Sequence, residues 1–125
     1  MELSCILVVD DCEADQFLSR DILEKEYPGA EILEAYDGLE ALEQLKESDK
    51  KIDLIILDIN MPRMNGHEFL ETYNQMSGEN KTSVVVMLTS SNSIEDKEKS
   101  MTYDFVVDYF IKSLDKDDLL KLKNL

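Results

Sequence analysis

The sequence has no tryptophan, four glycines, two prolines, two cysteines and one histidine in 125 residues. So little glycine and proline, beside 43% hydrophobic residues, excludes a disordered chain or a fibrous repeat. Cys5 and Cys12 are too few for a disulfide framework and fit a reducing compartment, so the cytoplasm is the expected location. No apolar run approaches the ~18 residues that span a bilayer, and Asp10 and Asp11 interrupt the N-terminal stretch before a signal-peptide core can form. Basic residues are also scarce. Thirteen Lys and Arg against 28 Asp and Glu give a net charge of −15, which makes the chain a poor binder of nucleic acid or of an anionic membrane. The same excess suits a divalent cation or a basic partner surface. The lone His67 lacks companion metal ligands and reads as a surface residue at a helix start. With no tryptophan, and no phosphate-cradling loop rich in Gly, Ser or Thr after the first apolar run, flavin binding is disfavoured.

What is present is an alternation of two periods in a chain of single-domain size. Cys5–Val9, Leu54–Leu57 and Val84–Leu88 are continuous apolar runs, as expected of strands buried on both faces of a parallel sheet. Ile32–Leu33 and Phe105–Val107 with Tyr109–Ile111 are shorter and mixed. Between them, Ala14, Phe17, Leu18, Ile22 and Leu23 recur at helical steps, stopped by Tyr27-Pro28-Gly29. Leu39, Ala41, Leu42 and Leu45 make a second helical pattern. Phe69, Leu70, Tyr73 and Met76 make a third, ending near Gly78. A polar fourth helix spans Ser93 to Thr102, and Leu114 to Leu122 make the fifth. Parallel strands need helical crossovers, and right-handed crossovers put helices on both faces. The expected fold is therefore a three-layer α/β domain of five βα units. The fifth helix is expected to finish near Leu125, so that one domain, 1–125, with no output domain is the expectation.

Ligands of an open parallel sheet bind beyond the carboxyl ends of its strands. Asp10 and Asp11 follow the first run, Asp58 the third, Thr89 and Ser90 the fourth, and Lys112 the fifth, with Tyr109 three residues earlier. Singly, each has an ordinary explanation. Acids before a helix serve as caps, Asp58 suits a solvated turn, Thr89 ends a strand and Lys112 is a surface lysine. Tyr109, Met61, Met64 and Met76 read as packing, and Cys5 as a small buried hydrophobe. Together the group is harder to explain that way. Three carboxylates in one pocket repel one another unless a cation compensates, and a hard dication with oxygen ligands, Mg²⁺, does so. An ammonium at Lys112 and a hydroxyl at Thr89 add donors for phosphoryl oxygens. Such a site lets a carboxylate attack phosphorus and become an aspartyl phosphate.

The set Asp10-Asp11, Asp58 to Gly66, Thr89-Ser90 and Tyr109…Lys112 resembles the receiver domain of two-component response regulators, in order and spacing and over essentially the whole chain, 1–125. The resemblance implies a flavodoxin-like sheet of order 2-1-3-4-5. It implies that Asp58 accepts a phosphoryl group from a histidine kinase or a histidine phosphotransfer protein. It also implies that Mg²⁺ is held by Asp10, Asp11, Asp58 and the backbone carbonyl of Asn60. Thr89 and Lys112 would meet the phosphoryl group, and Tyr109 would swing inward as Thr89 moves, remodelling the face of helix four, strand five and helix five. The side chains of Asn60 and Ser91 would tune the phosphoryl lifetime. The output is then protein–protein contact rather than enzyme turnover, with a homodimer through Phe105, Val106 and Tyr109 as one form.

Two positions depart from the family pattern. Ser113 stands where a proline commonly forms a cis bond after the lysine. A non-proline cis bond costs ~2.5–4 kcal/mol against ~0.5–1 kcal/mol for X–Pro, which leaves that bond's isomer open. Asp104-Phe105 replaces a small Gly-Ala turn, so Phe105 is expected to alter the switch face. Two other classes compete with the receiver reading. A haloacid-dehalogenase-type phosphatase would carry an acid two residues after the nucleophile, where this chain has Asn60, and would need room for a cap. A degenerate receiver would bind its partner without phosphorylation.

Overall fold

The computed structural model describes residues 2–47, 51–76 and 83–125. Five strands, β1 (Cys5–Val9), β2 (Glu31–Ala35), β3 (Leu54–Leu57), β4 (Val84–Thr89) and β5 (Val106–Ile111), alternate with five helices. These are α1 (Glu13–Glu26), α2 (Gly38–Glu47), α3 (Gly66–Gln75), α4 (Ile94–Met101) and α5 (Lys116–Lys123). All strand pairs are parallel, in the order β2-β1-β3-β4-β5. The expected doubly wound α/β architecture and strand order are therefore present. The chain reverses direction at β1, so the crevice at the carboxyl ends of β1 and β3 is where such a sheet receives a ligand.

Alternating strand residues build two cores. Leu7, Val9, Ile55, Leu57, Val85 and Met87 pack against Ala41, Leu42 and Leu45 of α2 and Phe69, Leu70 and Tyr73 of α3. Ile6, Val8, Leu54, Ile56, Val86 and Leu88 face Leu23 of α1 and Leu119 and Leu122 of α5. β1 and β3 are buried along their full length, which is why they read as unbroken apolar runs. At β5 the register slips by one residue between Val85 and Val86. The slip sets Tyr109 opposite Met87, on the α2–α3 side.

Helix ends follow the expected chemistry with small shifts. Asn65 and Asp115 form capping boxes with Glu68 and Asp118, and Ser93 caps α4 through Asp96. The fifth helix begins at Lys116, because Asp115 takes the cap position and Leu114 is buried ahead of it. The third ends at Gln75, with Met76 as its cap, and Gly78 lies outside the described residues.

The buried face of α1 differs from the one its spacing predicts. Leu23 is buried and Ile22 packs against the core as expected, but Ala14, Phe17 and Leu18 are exposed, and Gln16 and Ser19 are buried in their stead. The cause is polar. The Gln16 amide donates to the carbonyls of Val8, Asp10 and Ala35 at 3.0, 3.1 and 2.9 Å, tying α1 to β1 and β2. Half-buried Phe105, just ahead of β5, packs edge-on against Tyr73 at the margin of the core, with ring centroids 4.9 Å apart. Among the described residues, no helix is long and apolar enough to cross a membrane.

Candidate functional site

The ladder that builds the sheet runs one residue past the strand ends. Asp10 N–H donates to Ala35 O at 3.0 Å, Asp58 N–H to Val9 O at 3.0 Å and Lys112 N–H to Thr89 O at 3.0 Å. Side chains just beyond β1, β3 and β5 are therefore held by backbone hydrogen bonds and not by loose loops. Gly66 at the start of α3 completes the frame. Its N–H donates to Ile59 O at 2.7 Å, and a Cβ there would collide with the Asp58 carbonyl. Only glycine lets α3 approach the end of β3 this closely.

Four of the expected residues converge. Carboxylate oxygens of Asp10, Asp11 and Asp58 lie within 4.8 Å of one another, with Asp10 and Asp58 buried and Asp11 exposed. The Lys112 ammonium joins them, 2.8 Å from Asp10 Oδ2 and 2.9 Å from Asp58 Oδ2. Burial alone would lower the lysine's pKa, but the carboxylates it donates to hold it above the usual value, so it stays charged. Burial also raises the pKa of Asp10, against the opposing effects of Lys112 and of the Cys12 N–H that Asp10 Oδ1 accepts at 2.9 Å. Asp10 thus braces the turn ahead of α1 and faces the pocket, whereas the helix's own N-cap position is Cys12, with no side-chain cap bond. The Lys112–Ser113 peptide bond is cis.

Thr89 and Tyr109 are joined through a third residue. The fully buried Thr89 accepts the Ser91 N–H on Oγ1 at 3.2 Å. The Tyr109 hydroxyl donates to the Ser91 carbonyl at 2.9 Å, half-buried beside the α4 N-terminus. Asn60 lies exposed two residues beyond Asp58.

Three features were missed or misread from the sequence. Asp15 of α1 accepts from Lys112 Nζ at 2.8 Å, the third acceptor of the same ammonium. His67 is a partly buried link, not a surface residue: its Nε2 lies 3.0 Å from Asp96 Oδ1, whose other oxygen accepts from Ser91 Oγ at 2.7 Å. Those two hydrogen bonds, the one from Ser91 foremost, hold the Asp96 carboxyl below its usual pKa. Arg63, the one described non-glycine residue with positive φ (62°), donates to buried Asp37 Oδ2 at 2.6 Å and clamps the β3–α3 loop to the start of α2. Burial pushes the Asp37 carboxyl up, but Arg63 and the Glu40 N–H outweigh that and lower it. An Asp three residues before Glu40, ahead of an apolar pattern, was a legible cap signal for Asp37.

Comparison with known proteins agrees with this geometry. Residues 6–124 match the family model described as the response regulator receiver domain. Response regulator Rcp1 of Synechocystis sp. is 32% identical over 123 residues, covering 94% of this chain and 82% of that protein. A crystal structure of the Mn²⁺-bound form of Rcp1 superposes with a TM-score of 0.77 at 31% identity, covering 95% of this chain and 88% of that one. A two-component response regulator from Cytophaga hutchinsonii superposes with a TM-score of 0.89 at 30% identity, covering 99% and 96%. Some relatives are far longer: the chain matches 12% of the sensor histidine kinase CheAY of Helicobacter pylori, at 35% identity over 100 residues. With the sheet order, the acidic triad and the lysine in place, the family match extends across the whole fold, and the chain belongs to the receiver domains of two-component response regulators.

Proposed function

We propose that this chain is a phosphoacceptor switch in which Asp58 takes a phosphoryl group from a phosphohistidine, on a histidine kinase or a histidine phosphotransfer protein of the cytoplasm. The observation that carries the reading is the contact of Lys112 Nζ with Asp58 Oδ2 at 2.9 Å, beside two further carboxylates. An Asp58 oxygen forms the bond to phosphorus while the P–N bond to the donor imidazole breaks. The electron pair stays on that nitrogen, which takes up a proton as it leaves. The phosphoryl oxygens then carry the charge, and Lys112, already protonated, donates to one of them. The Thr89 hydroxyl, now an acceptor for Ser91 N–H, has a proton of its own to offer a second oxygen.

Oxygen donors within 4.8 Å of one another fit a hard divalent cation, and the similar protein Rcp1 has a form with Mn²⁺ bound. Asp10, Asp11 and Asp58, with the Asn60 carbonyl, would hold Mg²⁺. Bound there, it offsets the negative charge of carboxylates and phosphoryl group together.

The output surface in this reading is the face of α4, β5 and α5. Engaging the phosphoryl group draws on Thr89, and Thr89 and Tyr109 are both bonded to Ser91, so a change at one reaches the other. Of the three residues of the expected homodimer contact, Val106 is buried, while Phe105 and Tyr109 are half-buried. Ile94, Met101 and Ile111, exposed around a groove beside Tyr109, are the apolar groups this face offers to a protein partner or a second copy.

The test is intact mass after incubation with acetyl phosphate, with and without Mg²⁺, for the native chain and Asp58→Asn. The expected result is a Mg²⁺-dependent gain of one phosphoryl group that Asp58→Asn loses. No gain, together with no binding of beryllofluoride, overturns the reading.

A further inference from the structure

Lys112 has three ammonium protons and three carboxylate acceptors, and the third is Asp15. Its Oδ2 lies 2.8 Å from Nζ, as close as Asp10 and closer than Asp58. The other two acceptors have further duties in the proposed function: Asp10 belongs to the cation triad, and Asp58 belongs to it and receives the phosphoryl group. Asp15 lies outside that triad. Its carboxylate is the acceptor that stays available when the others are taken.

Resting on the phosphoacceptor reading, we propose that Asp15 is a positioning residue, one that holds the Lys112 ammonium against the pocket throughout phosphoryl transfer to Asp58. Lysine is a flexible four-carbon arm carrying a point charge, so its effect at phosphorus depends on what restrains it. Asp15 restrains the ammonium end from α1, while the Lys112 backbone N–H is anchored at Thr89 O. Once Asp58 bonds to phosphorus, the N–H that Nζ had donated to Asp58 is free for a phosphoryl oxygen, and the contact to Asp15 keeps the nitrogen within reach. A misplaced charge loses much of its value to the transition state.

An ordinary explanation also exists. Acids in a helix's first turn complement its dipole, and Glu13 and Asp15 both stand there. Asp15→Glu preserves that role and keeps a carboxylate near Lys112, whereas Asp15→Asn removes the charge while preserving shape. Removing a negative charge favours an anionic donor, so a purely electrostatic role would speed the reaction.

The experiment measures Asp58 labelling by acetyl phosphate and Mg²⁺ across donor concentrations, in the native chain, Asp15→Asn, Asp15→Glu, Lys112→Ala and the double variant Asp15→Asn/Lys112→Ala. Asp15→Asn is expected to lower the maximal rate about tenfold without raising the half-saturating donor concentration. Asp15→Glu recovers most of the rate. On the Lys112→Ala background, Asp15→Asn is expected to change the rate by less than about twofold, because its partner is gone. A loss of folded protein would reduce the labelled fraction but not this rate. An unchanged or faster rate in Asp15→Asn, or the same tenfold loss without Lys112, overturns the inference and leaves the phosphoacceptor reading standing. No labelling of the native chain overturns both. Should Lys112→Ala be too slow to measure, ¹⁵N NMR of the Lys112 ammonium decides. Its protons exchange slowly in the native and Asp15→Glu chains and faster in Asp15→Asn, and equal exchange overturns the inference.

Discussion

The Gln16 side-chain amide donates to the Ala35 carbonyl at 2.9 Å, bridging α1 to the end of β2 directly beside the Asp10 backbone. The same nitrogen reaches Val8 O and Asp10 O, so one buried side chain secures the strand ends that carry the acidic pair. Gln16→Leu keeps the volume and removes the donors, leaving buried carbonyls short of a partner. The expected cost is about 1–3 kcal/mol. That corresponds to a fall in melting temperature of roughly 5–10 °C for a domain of this size. Phe17→Ser, one residue on, is expected to change stability by less than about 0.5 kcal/mol, because Phe17 is 67% exposed. Thermal unfolding of the two variants checks this. A larger loss from Phe17→Ser than from Gln16→Leu would contradict the packing described for α1.

That pair also shows where sequence reading succeeds and fails. β1 and β3 were legible to the residue because burial on both faces leaves an uninterrupted apolar signature. Asp58, Asp10, Asp11 and Lys112 were legible because position at a strand's carboxyl end is itself information. The face of α1 was not, because its buried spot is filled by an amide that serves three carbonyls, and apolar spacing counts it as polar. Asp15 was hidden among acids that are ordinary in a first helical turn, its partner lying 97 residues away. A lack of fellow metal ligands makes His67 look like a plain surface residue. Its actual partner, Asp96, meets it only because α3 and α4 pack side by side.

The Asp96 contact has a pH signature whose sign follows from its lowered pKa. A carboxyl with a folded pKa below its unfolded value adds stability above the unfolded pKa, near 4. It loses that stability as pH falls through the folded value. The native chain should therefore be more stable than Asp96→Asn at neutral pH, by less than about 1 kcal/mol for so solvated a group. The gap should close as pH falls below about 4. Melting temperatures of both chains measured between neutral and acid pH read this directly. A gap that stays constant, or widens in acid, would mean that the Asp96 charge does not hold the start of α4.

Lys112 and a divalent cation want the same oxygens. Nζ sits on Oδ2 of Asp10 and of Asp58, two of the three carboxylates within 4.8 Å of one another. Across a half-buried pocket, a unit charge and a double charge a few ångströms apart repel by several kcal/mol before the carboxylates and solvent screen them. Lys112→Ala removes that repulsion and leaves the acidic cluster uncompensated. It is expected to bind Mg²⁺ at least about tenfold more tightly, worth roughly 1.4 kcal/mol. Asp58→Asn is expected to weaken binding by a similar factor, since it removes a ligand charge and leaves the ammonium. Calorimetric titration at fixed low ionic strength distinguishes the signs. Equal affinity in the native chain and Lys112→Ala would show that the ammonium withdraws towards Asp15 as the cation enters. The repulsion would then be avoided by movement of the lysine arm rather than opposed by ligand strength.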